Sequence, residues 1–232
     1  MLLLVPTQAA DTLAATAAQA QEVIVKEMNL WEMTLKGGWI MIPVFVLLLI
    51  SVYIIIERVI GIKAAQKEDP SFMNRIKDYI YDGKTESALN LCRQTNTPTA
   101  RMIEKGIMRL GRPMEDIVQA IENVGNLEVP KLEKGLPLLA SCAGGAPMLG
   151  FFGTVTGMVR AFFDMSNAGD TLNMSILSSG IYEAMVTTVA GLFVGIISFF
   201  AYNYLVARVN AAVNKMETHT MEFMDILYEP AK

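Results

Sequence analysis

The sequence predicts an all-α integral membrane protein in which three transmembrane helices carry long cytoplasmic helical extensions. Each of three apolar stretches is long enough to cross a hydrocarbon core about 30 Å thick, at a helical rise of about 1.5 Å per residue. The composition agrees, because 53% of the 232 residues are hydrophobic and only 18% are charged. A soluble protein of this length would have to bury an implausibly large apolar fraction.

Several classes of function lack support in the composition and the motifs. The net charge of −4 provides no basic surface for nucleic acid. Cys92 and Cys142 have no CxxC spacing and His219 is the only histidine, so we expect no metal site, thiol redox chemistry or other cofactor. Paired acids, a nucleophile beside a base and a phosphate-binding glycine loop are all missing from the sequence. We therefore expect no catalytic residues and no enzyme activity.

Residues 1–38 are predicted to be a periplasmic or interfacial amphipathic segment. The segment is alanine-rich and polar and carries Trp31 near its end. Indole rings favour the membrane interface, which supports a helix lying at the surface. A short signal peptide cleaved between Ala9 and Ala20 is an alternative, because small residues are frequent there.

The first transmembrane helix is predicted over residues 39–57. Uncharged residues run without interruption from Trp39 to Ile56. The surface of this helix is apolar apart from Ser51 and Tyr53. Lipid or another apolar helix is therefore its expected neighbour, and the helix is expected to form an outer wall.

Residues 58–135 are predicted to form a cytoplasmic helical domain. The segment contains thirteen of the nineteen lysines and arginines. The positive-inside rule therefore places it in the cytoplasm and the N-terminus outside. Helix-start signals recur at Ser71, Thr85 and Pro113. We expect a solvated packing domain that docks on neighbouring subunits or partners.

The second and third transmembrane helices are predicted over residues 136–163 and 180–207. The periplasmic loop between them, at 164–179, contains two aspartates and no lysine or arginine. Pro147 is expected to bend the second helix or to free a carbonyl oxygen one turn before it. Residues 208–232 are predicted to continue the third helix into the cytoplasm, with an apolar stripe at spacings of three and four.

The second and third helices carry small residues that allow close helix packing. Thr154 and Thr188 each lie nine residues inward from the predicted outer boundary, so their hydroxyls share one depth. Glu183 lies near the outer end of the third helix with Thr187 almost beneath it, whereas Thr188 points about 140° away. Hydroxyls bonded to their own helix, and an acid stabilised at a helix start, are the structural alternatives. The glycines of these faces are Gly150, Gly153, Gly157, Gly191 and Gly195.

Two stretches resemble the signatures of the ExbB/TolQ/MotA proton-channel family. Leu149–Phe162, with the sequence LGFFGTVTGMVRAF, is similar to the second-span signature LGLLGTVxGMxxxF. Gly180–Asn203 is similar to the third-span signature. Three spans and a modest cytoplasmic domain resemble the ExbB and TolQ branches, and the extension before the first span favours the ExbB branch.

The resemblance implies a homopentamer in the bacterial inner membrane. Its second and third helices would line a pore that holds the single-span helices of an ExbD/TolR-like partner. Thr154 and Thr188 match the family's pore-lining threonines by position, and Glu183 matches its third-span glutamate, with Thr187 beside it. The spans contain no aspartate, so the partner is expected to supply the proton carrier. The implied activity couples the proton motive force, through a TonB-like protein, to outer-membrane transport.

The chain departs from the family pattern at two places. Ile196–Phe200 stands where many relatives have a proline-bearing segment, which implies a straighter third helix. Arg160 stands where relatives are often neutral, so it is a candidate outer-pore charge that could reach the surface or pair with Glu183 or a loop acid. Three alternatives stay open: a TolQ-like subunit for envelope maintenance, a self-sufficient ion channel or transporter, and a scaffold whose glycines only pack helices.

Overall fold

The computed structural model describes residues 38–67, 69–167 and 174–228. Within these ranges the chain forms α-helices joined by short connections, and no strand. All but the last residue of the predicted N-terminal segment, with its signal-peptide alternative, lies outside the described residues. The helices are α1 Met41–Gln66, α2 Phe72–Tyr81, α3 Thr85–Thr95, α4 Pro98–Ile107, α5 Met114–Glu133, α6 Leu136–Asn167 and α7 Met174–Tyr228.

Three helical stretches are long and apolar enough to cross a membrane, which confirms the predicted fold class. They lie in Met41–Gln66, Met114–Asn167 and Leu177–Tyr228. Within the second stretch the charged side chains are concentrated in α5, so α6 is the spanning part. α6 continues to Asn167 and α7 begins at Met174, so helix extends into both ends of the segment predicted as a periplasmic loop.

α6 and α7 form an antiparallel pair, and α1 packs beside them parallel to α7. Gly150 lies beside Thr188 near the middle of the pair, and Ala161 lies beside Gly180 nearer its end. Two hydrogen bonds join α1 to α7 at successive levels that advance in the same chain direction. The three long helices therefore alternate in direction along the chain, as successive spans of one bilayer must.

Pro147 lies inside α6, and the helix continues through it. Proline has no N–H, so the carbonyl oxygen of Ala143 lacks its usual helical donor. Gly195 of α7 lies against this turn, since a methyl group there would contact the Pro147 ring and lie 3.1 Å from the Ala143 oxygen. The third helix therefore packs into the turn where the proline interrupts the hydrogen bonding of the second.

The helices α2–α5 form a helical domain, predicted above to be cytoplasmic, that packs on the C-terminal part of α7. Phe72, Ile76, Ile103 and Ile121 are fully buried in its core, together with Phe223 of α7. α7 is unbroken for 55 residues, or about 80 Å. The third span and the C-terminal segment that follows it are thus one continuous helix as far as Tyr228, with its apolar stripe in the domain core.

The predicted helix starts agree with the structure. α2 follows Ser71, α3 begins at Thr85 and α5 follows Pro113. α4 has no counterpart among the predicted starts. Thr97 caps α4 by accepting a backbone N–H at 3.3 Å, and Pro98 occupies its first position. A threonine followed by proline is a start signal that the sequence does carry.

The C-terminal part of α1 contacts the end of α5. Arg58 Nη1 donates to the carbonyl oxygen of Lys131 at 3.0 Å. The last carbonyls of a helix lack partners and favour a nearby cation, so this contact stabilises the end of α5. Gly135, at φ +85°, then turns the chain into α6 in a left-handed conformation that glycine adopts without strain.

Candidate functional site

The candidate site lies on the contact between α6 and α7. A methyl group placed on Gly191 would lie 2.5 Å from the carbonyl oxygen of Ala146 and 2.9 Å from Gly150 Cα. The close approach predicted for the small residues is therefore made by two helices of the same chain, and a partner helix must lie against another face. All five predicted glycines lie in this contact, four buried and the last half-buried: Gly150, Gly153, Gly191, Gly195 and Gly157.

Two neighbouring threonines of α7 converge on one carbonyl oxygen of α6. Thr188 Oγ1 donates to the oxygen of Gly150 at 2.9 Å. Thr187 Oγ1 donates to Ala184 in its own helix at 2.7 Å and lies 3.5 Å from the same Gly150 oxygen. Thr187 is 2% exposed, whereas Thr188 is half-buried. The Thr188 hydroxyl thus bonds across the helix pair and lies at the partly exposed edge of the contact.

Thr154 follows Gly150 by one turn on α6. Its Oγ1 donates to the carbonyl oxygen of Phe151 at 2.6 Å, which is the local bond expected of a threonine in a membrane helix. Thr188 contacts Gly150, four residues or about 6 Å from Thr154 along the axis. The two hydroxyls therefore lie within about one helical turn of each other. Because a hydroxyl has two acceptor positions, Thr154 can still accept a hydrogen bond from a protonated acid.

Glu183 lies in a cavity of about 60 Å³ between the start of α1 and the α6–α7 pair. The side chain is half-buried, and its carboxylate lies so close to Gly38 that any larger residue there would collide with it. Thr187 lines the same cavity and Thr188 does not. This arrangement agrees with the sequence geometry, in which Glu183 and Thr187 share one side of the helix.

Arg160 lines the cavity of Glu183 from α6. Its side chain is 74% exposed, and its Nε lies 4.0 Å from a carboxylate oxygen of Asp164. Such an exposed and distant pair contributes little stability. Of the predicted partners, Asp164 near the C-terminal end of α6 is therefore the one within ion-pair distance, while Glu183 lines the same cavity.

A buried polar pair that the sequence did not reveal joins α1 to α7. Ser198 Oγ donates to Ser51 Oγ at 2.9 Å, and both residues are 0% exposed. α7 is an apolar helix, as predicted for a neighbour of α1, and Val44 and Val194 share an apolar cluster; the serine pair adds a polar contact that was not predicted. A single serine in each apolar run is the only signal in the sequence, and nothing in that signal pairs the two residues.

The described residues hold no group of three or more His, Cys, Asp or Glu side chains placed to bind a metal. Cys92 and Cys142 are each 1% exposed and belong to different helices. The polar groups of the site are thus hydroxyls, a carboxylate, a guanidinium and backbone carbonyls. Such groups can donate or accept hydrogen bonds.

Comparison with known proteins places this geometry in a family. Residues 94–218 match the model of the MotA/TolQ/ExbB proton channel family. The chain belongs to that family. It is 32% identical to the Tol-Pal system protein TolQ of Haemophilus influenzae, over 88% of this chain and 96% of that protein. It is 26% identical to the biopolymer transport protein ExbB of Neisseria gonorrhoeae, over 77% of this chain and 87% of that protein.

The matched range includes α4, α5 and α6 and most of α7, and therefore every residue of the candidate site apart from the start of α1. Proteins of the MotA/TolQ/ExbB family are multi-pass proteins of the bacterial inner membrane, associated with channels and transport rather than with enzyme catalysis. The three apolar helices agree with that membership. Relatives from both the TolQ and the ExbB branches match the chain.

Proposed function

We propose that this chain is a proton-channel and motor subunit of an inner-membrane complex that converts the proton motive force into mechanical work. The observation that carries the proposal is the bond from Thr188 to the Gly150 carbonyl, at nearly the same level as the Thr154 hydroxyl. These groups are polar and lie among mostly apolar side chains of the helix pair. Glu183 and Thr187 line the cavity beside α1, and Thr188 does not.

The protonated group that moves belongs to a partner in this proposal. A single-span ExbD/TolR-like helix with an aspartate would present its carboxyl group to Thr154 and Thr188. The protonated acid donates a hydrogen bond to the Thr154 oxygen. The ionised acid accepts a hydrogen bond from a threonine hydroxyl that has turned away from its carbonyl oxygen, and breaking that hydroxyl–carbonyl bond costs about 1 kcal/mol. One charge moved across 100 mV supplies about 2.3 kcal/mol, which exceeds that cost.

The same proposal includes the topology and the assembly. Residues 58–135 and 208–232 are cytoplasmic, 164–179 is the periplasmic loop, and the N-terminus is periplasmic. Five copies surround the partner helices, and a TonB-like protein carries the work onward. Large apolar side chains that remain exposed on both helices of the pair support contacts with neighbouring copies and lipid. They include Phe151, Val159, Met185, Val189 and Phe193.

The first candidate for the output is TonB-dependent outer-membrane transport, as in the ExbB branch. Envelope maintenance of the TolQ type is the second candidate, favoured by the alignment to nearly the full length of a TolQ protein. Deleting the gene separates them. Loss of energy-dependent uptake through outer-membrane transporters supports the first, and leakage of periplasmic contents with normal uptake supports the second.

The proton-channel proposal is tested by replacing Thr154 or Thr188 with valine, which keeps the shape and removes the hydroxyl. The complex with its partner is reconstituted in liposomes, and proton uptake is followed with a pH-sensitive dye. We expect a loss of tenfold or more in rate with unchanged oligomer size. Ser141→Ala is the matched control, because its hydroxyl also bonds a carbonyl of α6, at 3.0 Å, outside the site.

Three outcomes would count against the proposal. Parent rates in both valine variants would remove the threonines from the pathway. Proton uptake by the chain without any partner would favour a self-sufficient channel. Crosslinks between chain and partner that stay the same with and without a proton gradient would favour a scaffold whose glycines only pack helices.

A further inference from the structure

A cationic cavity between α1 and α7 has no role in the proposed proton pathway. Its volume is about 60 Å³, and the polar side chains that line it are Lys63, Gln66, Tyr204 and Arg208. We call it the α1–α7 cationic cavity. It opens at the ends of the apolar parts of α1 and α7 that lie next to the cytoplasmic domain.

Gln66 and Arg208, two of the hydrogen-bond donors that line this cavity, are each oriented by a hydrogen bond, although Arg208 is exposed. Gln66 Nε2 donates to the carbonyl oxygen of Arg208 at 3.1 Å, which ties α1 to α7. Arg208 Nε donates to the Tyr204 hydroxyl at 3.1 Å, and the guanidinium carbon lies 5.4 Å from the centre of that ring. The two terminal nitrogens of Arg208 are therefore fixed in direction and still available to an acceptor.

The charges of the cavity call for an anion. Lys63 and Arg208 both line it, and in the described part of the chain neither forms an ion pair with a carboxylate. By contrast, Glu128 of the cytoplasmic domain is paired with both Arg101 and Lys131. Two like charges that share a small space repel each other, and a bound anion relieves that repulsion.

The position of the cavity selects a membrane anion. Side chains on a helix tilt toward its N-terminus, and in both α1 and α7 the apolar part lies on that side of Lys63 and Arg208. Both side chains therefore lean toward the bilayer, where long cationic side chains reach the level of the headgroups. The buried Ile62 and Leu205 line the cavity beneath them. In the topology proposed above, this is the cytoplasmic leaflet, which is rich in anionic lipid.

We propose that the α1–α7 cationic cavity binds the phosphate group of an anionic phospholipid. Arg208 offers its planar fork of donors to two phosphate oxygens, and Lys63 neutralises the remaining charge. Gln66 and Tyr204 position Arg208 rather than carry the charge. The bound lipid would hold α1 against α7, the helix that carries Thr188.

The test is native mass spectrometry of the full-length complex in detergent, titrated separately with phosphatidylglycerol, phosphatidylcholine and inorganic phosphate. We expect about one phosphatidylglycerol per chain, and much weaker binding of the zwitterionic phosphatidylcholine. The double variant Lys63→Gln/Arg208→Gln should lose tenfold or more in apparent affinity. Arg112→Gln is the matched control, since it removes an exposed cation far from the cavity and should bind as the parent does.

Several results would overturn the proposal. They are equal phosphatidylglycerol binding by the parent and the double variant, equal binding of both lipids by the parent, and displacement of phosphatidylglycerol by millimolar inorganic phosphate. The last would assign the cavity to a free anion. If the double variant does not fold, the two single variants are measured under the same criteria. A rise in the parent's Tm with phosphatidylglycerol that the variants lack is the second readout.

Discussion

Gly191→Ala is expected to force α6 and α7 apart at the candidate site. The added methyl group would lie 2.5 Å from the carbonyl oxygen of Ala146, where nine in ten real contacts exceed 3.4 Å. The contact must therefore open by about 0.9 Å, the difference between those distances. The two nearest atoms of α6, the Ala146 carbonyl oxygen and Gly150 Cα, belong to the backbone, so no side-chain rotation relieves the collision.

The energetic cost follows from that displacement. Overpacking of a tight contact costs about 1–3 kcal/mol, and a gap of 0.5–1 Å forfeits about a quarter to a half of the dispersion energy along the interface. Alanine recovers up to about 1 kcal/mol through its higher helix propensity. The net loss of about 1–2 kcal/mol corresponds to a fall in Tm of about 2–8 °C. The displacement also lengthens the bond from Thr188 to Gly150, so the proton uptake rate should fall as well.

The assay is thermal unfolding of the purified complex in detergent, followed by circular dichroism, together with the proton uptake rate in liposomes. Gly144→Ala is the matched control, because no other atom lies within 4 Å of its added methyl group. That control should keep or slightly raise the Tm and keep the uptake rate. A Gly191→Ala protein with the parent's Tm and rate would show that the two helices are not locked by their glycines.

Two further predictions concern polar contacts that hold the helices together. Ser198→Ala leaves the buried Ser51 hydroxyl without its partner and should cost about 1 kcal/mol in denaturant unfolding, while the double variant Ser51→Ala/Ser198→Ala should recover part of that loss. Equal stability of the single and double variants would contradict this. In the helical domain α2–α5, burial raises the pKa of Glu128, but the hydrogen bonds and charges of Arg101 and Lys131 outweigh it and hold that pKa below its ordinary value of 4.5. A lowered carboxyl pKa stabilises the fold above the ordinary value and loses that contribution as the pH falls below it. The free energy of unfolding should therefore decrease as the pH is lowered from about 5 to about 3, and decrease less in Glu128→Gln; equal slopes would refute the assignment.

Length and hydropathy were enough to predict the three membrane helices, because a span of apolar residues has few other stable uses. Local start signals were enough to predict three of the four helices α2–α5. Thr97 and Pro98 are a helix-start signal for α4 as well, although α4 was not among the predicted starts. The spacing of Glu183, Thr187 and Thr188 on one helix likewise follows from the helical repeat alone.

The sequence could not predict which helix packs against each face of another helix. A row of glycines on α6 predicts that another helix packs closely against it, and the structure shows that this helix is α7 of the same chain. Ser51 and Ser198 are 147 residues apart, and no periodicity links them. The α1–α7 cationic cavity likewise joins residues from opposite ends of the chain. Such pairings depend on the tertiary arrangement and not on any local pattern.

The packing of α6 and α7 bears on which part of the complex moves. Thr188 and Phe223 lie on one unbroken helix, so rotation of α7 at the site would also turn a side chain that is fully buried in the core of the α2–α5 domain. Rotation of α6 against α7 would separate the two backbones, which are in contact at Gly150 and Gly191. The stability lost would be comparable to the loss expected for Gly191→Ala. Both motions cost packing energy in every copy of the chain. A partner helix that contacts only the outer face of the pair loses no such contacts when it turns, so we expect the partner to move against a rigid wall formed by α6 and α7.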